Sequence, residues 1–92
     1  MITSFVHKGL KVFFIDGDCR GIPAHFAPKI ERILDRLDVC ARPEEMSIPG
    51  FGFHPLLGNR KGQFSVTVSG NWRITFAFEG VNASDVNFED YH

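Results

Sequence analysis

The stretch QFSVTVSGNWRITFAFEGVNASDVNF, residues 63–88, decides the fold. From Gln63 to Val68 the apolar residues are Phe64, Val66 and Val68. From Trp72 to Phe78 they are Trp72, Ile74, Phe76 and Phe78, and a third run from Val81 carries Val86 and Phe88. A period of two is that of a β-strand with one buried face. Ser69-Gly70-Asn71 and Glu79-Gly80 are turns of hairpin length, so these strands run antiparallel. The residues off the apolar parity, Ser65, Thr67, Arg73 and Thr75, define a polar face on which function is to be sought. Just upstream, Phe53 to Leu57 predicts a further short strand, ended by the loop Gly58-Asn59-Arg60-Lys61-Gly62.

Toward the N-terminus the period changes. Phe26, Ile30, Ile33, Leu34 and Leu37 fall on one helical stripe, with Asp35, Arg36 and Asp38 on the other side. Pro28 either begins this helix or kinks one that starts near Pro23. Leu10, Phe13 and Phe14 predict an earlier helix stopped by Gly17, and Ile2 to Val6 reads as a short strand before it. Residues 16–23 form a turn. Pro43-Glu44-Glu45 has the chemistry of a single helical turn. Helices come first and strands second, which predicts an α+β fold: two N-terminal helices packed on one face of a small, mainly antiparallel sheet. The C-terminal strand pair should form the sheet centre. The expected core is Phe13, Ile30, Leu34, Leu37, Phe64, Val66, Trp72, Ile74 and Phe76.

A chain of 92 residues holds a single domain, 1–92. Hydrophobic residues at 43% exclude general disorder, and ten phenylalanines supply much buried area without polar atoms to satisfy. No apolar run reaches the ~20 residues of a membrane span, and the N-terminus lacks a secretory cleavage pattern, so a cytoplasmic protein is expected. Ten basic against eleven acidic side chains give a net charge of −1, so any nucleic-acid partner must be held by a local patch. Cys19 and Cys40 form no zinc framework and are expected reduced, with Cys40 a small core residue.

Four places carry the residue types of chemistry. Arg73, between Trp72 and Ile74, points onto the polar face. Its guanidinium can grip a phosphate by two parallel hydrogen bonds, or pair with a carboxylate on a neighbouring strand such as Asp85 or Glu89. His54 can exchange protons near neutral pH, and Pro55 after it enforces extended backbone. The terminal Asp90-Tyr91-His92 projects past the last strand. Arg60-Lys61, between two glycines, reads as a solvated turn or as a backbone-phosphate contact. His7 and His25 sit near helices with no visible partner. His54, Asp90 and His92 contain no i, i+4 metal-ligand pair, and no metal or cofactor is expected.

The segments MITSFVHKGLKVFF, IERILDRLD, FHPLLGNRKGQFSVTVSGNWRITFAFE and EDYH, in this order over nearly the whole chain, resemble the HigB-type toxins of bacterial toxin–antitoxin modules, within the RelE/ParE superfamily. The resemblance implies a RelE-like fold. It also implies a metal-independent endoribonuclease that cuts mRNA on the translating ribosome and halts growth. The partner it implies is a HigA-like helix-turn-helix antitoxin, through which alone the toxin would meet operator DNA. Position by position, Arg73 matches the phosphate-binding arginine of NWR, and His92 the terminal acid/base histidine. Tyr91 and Asp90 match tail residues that orient RNA and histidine, and His54 the histidine of HPL. The tail is expected to fold back so that His92 lies near Arg73 or His54. Leu57 stands where the family commonly has a lysine, and loss of such a charge-stabilising donor costs on the order of 10²–10³ in rate. With no basic character overall, ribosome affinity would rest on Arg60, Lys61, Arg73, Lys8 and Lys11. Two other readings stay open: a ParE-like gyrase poison on the same fold, and a catalytically weakened antitoxin-binding homologue.

Overall fold

The computed structural model describes residues 1–90. Helices α1 (Lys8–Asp16) and α2 (Ala27–Val39) precede strands β1 (His54–Pro55), β2 (Gln63–Ser69), β3 (Trp72–Glu79) and β4 (Asn82–Asp90). The strands form one antiparallel sheet in the order β1-β2-β3-β4. Leu10 of α1 and Ile30, Ile33, Leu34 and Leu37 of α2 share one buried cluster with Val66, Val68, Ile74, Phe76, Ala83, Val86 and Phe88 of the sheet. This is the expected α+β layering. Among the described residues no helix is long and apolar enough to cross a membrane.

The helix boundaries follow from their ends. The His7 Nδ1 accepts the Leu10 N–H at 3.1 Å and caps α1, and its ring stands edge-on to Phe88 at 5.7 Å. His7 therefore has partners that its sequence position did not reveal, and partial burial lowers its pKa. Gly17, at φ 73°, ends the helix by donating to the Phe13 carbonyl, a conformation that glycine adopts without a Cβ clash. The Pro28 ambiguity resolves through a short 3₁₀ turn, Ala24–Phe26, directly after Pro23; α2 then begins at Ala27 with Pro28 in its first turn. Pro43–Met46 forms the expected single turn, also 3₁₀. A tight approach joins α1 to the turn before α2: a Cβ on Gly9 would lie 2.3 Å from the Gly21 carbonyl oxygen.

Several expectations need correcting. The inner strands are β2 and β3, not the C-terminal pair, because β4 ends the strand order. Ile2 to Val6 is not a regular strand. It touches β4 through two isolated parallel bridges, Ile2 with Ala83 and Phe5 with Val86. The cause is a bulge in β4. Thr75 pairs with Asn87 and Ala77 with Ser84, so Asp85 and Val86 together oppose Phe76, and Asp85 takes φ 52°. The bulge also resets parity, so that Ala83 and Val86, three apart, both face the core. The Ser4 hydroxyl accepts the Asp85 N–H at 2.8 Å, and the Ser4 carbonyl accepts that of Val86 at 3.1 Å. The strand expected over Phe53 to Leu57 shrinks to His54–Pro55, since proline offers no ladder N–H.

Of the expected core, Phe13, Phe64 and Trp72 are only half-buried. They lie at the rim, where rings close the cluster: Trp72 stacks on Phe88 at 4.7 Å, and Phe64 stacks between Phe53 and Phe76 at 5.7 and 5.9 Å.

Candidate active site

Antiparallel register sorts the polar face into rows. His54 lies opposite Ser65, Ser65 opposite Thr75, and Thr75 opposite Asn87. In the neighbouring row Thr67 lies opposite Arg73, and Arg73 opposite Glu89. Residues directly opposite share a face, so one surface receives a histidine, three serine/threonine hydroxyls, an asparagine, an arginine and a glutamate. His54, Pro55, Leu56, Leu57, Ser65 and Arg73 line a groove of about 330 Å³ there. Two strand spacings across and two residues along put the His54 and Arg73 backbones roughly 12 Å apart. Both side chains line the one groove, whose volume has room for a phosphate.

This face is not open, as its polar composition suggested. Ser65 and Thr75 are 1% and 2% exposed. At the edge of this face Arg60 is carried on a 3₁₀ turn, Gly58–Arg60. Its guanidinium grips the Glu89 carboxylate with two hydrogen bonds, 2.6 and 2.9 Å, and donates to the Gln63 side-chain oxygen at 2.8 and 3.0 Å. The Thr75 hydroxyl donates to the same Glu89 carboxylate. The Arg60 guanidinium first, then the Thr75 hydroxyl, hold the Glu89 pKa below the usual carboxylate range against the opposing effect of burial. Arg60 is therefore a half-buried clamp and not a solvated turn residue. Arg73 donates to the Thr67 hydroxyl at 3.4 Å. Thr67 is fixed in turn by Phe51, whose carbonyl accepts its N–H at 2.6 Å.

The other candidates lie apart. Lys61 is exposed just past the Arg60 turn. Lys8 and Lys11 are exposed on α1 and line separate surface grooves with Val12 and Ile15, sharing no lining with the His54–Arg73 groove. Asp90 ends β4 opposite Trp72, on the parity opposite to Arg73 and Glu89. Tyr91 and His92, and with them the expected fold-back of the tail, lie outside the described residues. Leu57, at the lysine position of the family pattern, is 81% exposed on the groove wall. Among the described residues no three His, Cys, Asp or Glu side chains gather as metal ligands.

Sequence reading named Glu89 only as an alternative partner of Arg73, and did not foresee its capture by Arg60. Period-two parity did contain the signal for Ser65, Thr67 and Thr75. No local pattern connects residues 60 and 89.

The model of the family described as the RelE-like toxin HigB of type II toxin–antitoxin systems matches residues 3–92. A curated relative, "Endoribonuclease HigB" of Proteus vulgaris, is 44% identical over 92 residues, the full length of both chains. An α+β fold, a polar groove holding His54 and Arg73, and these two matches agree: the chain belongs to the HigB-like family of type II toxins.

Proposed function

We propose that this chain is a ribosome-dependent, metal-independent mRNA endoribonuclease whose activity stops translation and growth. Membership of a type II toxin family implies an antitoxin partner; the reading adds that it is a HigA-like helix-turn-helix protein and that both act in the cytoplasm. The observation that carries the proposal is the shared groove of His54 and Arg73 on the polar sheet face. The name of the Proteus relative supports the reaction class.

In the proposed reaction the ribose 2′-oxygen attacks the adjacent phosphorus. A base removes the 2′-proton, the bond from phosphorus to the 5′-oxygen breaks, and an acid protonates that leaving oxygen. A 2′,3′-cyclic phosphate and a 5′-hydroxyl result. Arg73 holds the phosphate and stabilises the charge that grows on it. His92 is the acid/base, His54 a second proton-transfer or positioning group, and Tyr91 and Asp90 orient RNA and histidine. Lys61, Lys8 and Lys11 lie outside the groove and serve contacts to ribosomal phosphates.

Induction without the antitoxin should arrest growth and produce cuts inside translated codons, mapped as new 5′ ends. Unimpaired growth with intact transcripts at verified expression overturns the proposal, and a DNA-damage response with untouched mRNA points to gyrase instead. Arg73→Ala should lower cleavage by about 10²–10³. Deleting residues 91–92 should abolish cleavage while the melting temperature holds, because among the described residues the buried cluster extends no further than Phe88. A truncated chain that cuts at the parent rate rejects the role of His92.

A further inference from the structure

Arg73 and Glu89 are direct cross-strand partners. Opposite residues of an antiparallel pair have their Cβ atoms about 5 Å apart, the distance at which an arginine and a glutamate pair readily. In this structure the Glu89 carboxylate is committed elsewhere. Both its oxygens receive Arg60, and one also receives the Thr75 hydroxyl. Gln63 fixes the Arg60 guanidinium from its other edge. A two-pronged guanidinium–carboxylate contact outcompetes single-point contacts, and here Gln63 reinforces it from the arginine side and Thr75 from the carboxylate side.

We infer that Arg60 is a positioning residue: by holding Glu89 it keeps that carboxylate off Arg73, so that the Arg73 guanidinium can meet an RNA phosphate. The inference rests on the reading of Arg73 as the phosphate ligand. The Arg60–Glu89 pair cancels its own charge, so it adds little attraction for RNA. Its effect is to exclude a competing anion from the groove. The same clamp holds the turn that carries Leu57, since the Arg60 N–H donates to the Leu57 carbonyl at 3.3 Å.

Cleavage of ribosome-bound mRNA by the full-length chain tests this with four variants. R60Q should lower the rate about 10- to 100-fold, because Glu89 turns to Arg73 and part of the charge stabilisation is lost. E89Q should cleave near the parent rate, and R60Q/E89Q should return to the E89Q level. A double variant as slow as R60Q would mean that Arg60 itself contacts RNA, and an R60Q at the parent rate would mean that the clamp is idle; either overturns the inference. R73Q separates the two claims: full activity there removes the phosphate reading itself. A readout independent of turnover guards against misfolding. The Arg73 Nε–H resonance should move downfield in R60Q as Glu89 becomes its acceptor, and return in R60Q/E89Q. R60K, which keeps charge without the fork, should show part of that shift. An unmoved resonance in folded R60Q or R60K overturns the inference as well.

Discussion

Gly9→Ala sets two effects against each other. Gly9 is the second residue of α1, and alanine in a helix is better than glycine by about 1 kcal/mol. On propensity alone the variant is stabilised. The tertiary contact opposes this. The new Cβ would lie 2.3 Å from the Gly21 carbonyl oxygen and 2.8 Å from its carbon, both backbone atoms with no rotamer to yield. It would also lie 2.9 Å from the His7 ring, the cap of the same helix. Separating the two backbones amounts to overpacking, about 1–3 kcal/mol. Disturbing the cap adds about 1 kcal/mol. Against the propensity gain the net loss is about 2 kcal/mol. For a domain of this size that lowers the melting temperature by roughly 8–16 °C. Urea unfolding followed by far-UV circular dichroism measures it. Gly21→Ala strikes the same contact, its Cβ meeting the Gly9 Cα at 2.7 Å, so the double variant should lose less than the two singles added together. A Gly9→Ala chain as stable as the parent would show that helix propensity outweighs the backbone contact.

Phe76→Ala removes a side chain 1% exposed at the centre of the core, and should cost about 3–5 kcal/mol in urea unfolding; a loss below about 1 kcal/mol would contradict the strand parity. Burial lowers the His7 pKa from its usual 6.5, so the folded chain binds fewer protons than the unfolded one below that value. The His7 contribution is therefore complete above about pH 6.5 and disappears as pH falls through the lower folded value; His7→Asn, a cap that does not titrate, should flatten this part of the stability–pH curve. Leu57→Lys places a cation on the groove wall and should raise the cleavage rate; an unchanged rate would show that the site does not need a charge there.

The local half of the fold was legible. The α2 stripe of Ile30, Ile33, Leu34 and Leu37 is written at the helical period and is buried throughout; in β2 and β3 the period of two places Val66, Val68, Ile74 and Phe76 in the core, while Ser65 and Thr75 on the other parity are buried as well. What escaped depends on residues far apart in the chain. Ala83 and Val86, three apart, cannot share a face of a regular strand, and only the bulge at Asp85 reconciles them. Arg60 looked solvated because its partner Glu89 is 29 residues away. The candidate site was half legible for the same reason. Parity put Arg73 on the polar face beside Ser65, Thr67 and Thr75, but the competition between two arginines for one carboxylate exists only once β3 and β4 are paired.

The N-terminal segment is held along β4, with a further hydrogen bond from the Ile2 N–H to the Asp38 carboxylate of α2 at 2.9 Å. The Ala83 N–H donates to the Met1 carbonyl, and the Thr3 side chain reaches the Ala83 carbonyl across a sequence separation of 80. Residues 1–6 can therefore take their place only once residues 83–86 are available, a long-range contact of the kind that slows folding. The late strand is also the one that delivers Glu89 to Arg60 and sets Asp90 beside Trp72. Without β4 the residues lining the groove are all present, but Arg60 has lost the Glu89 carboxylate that anchors it.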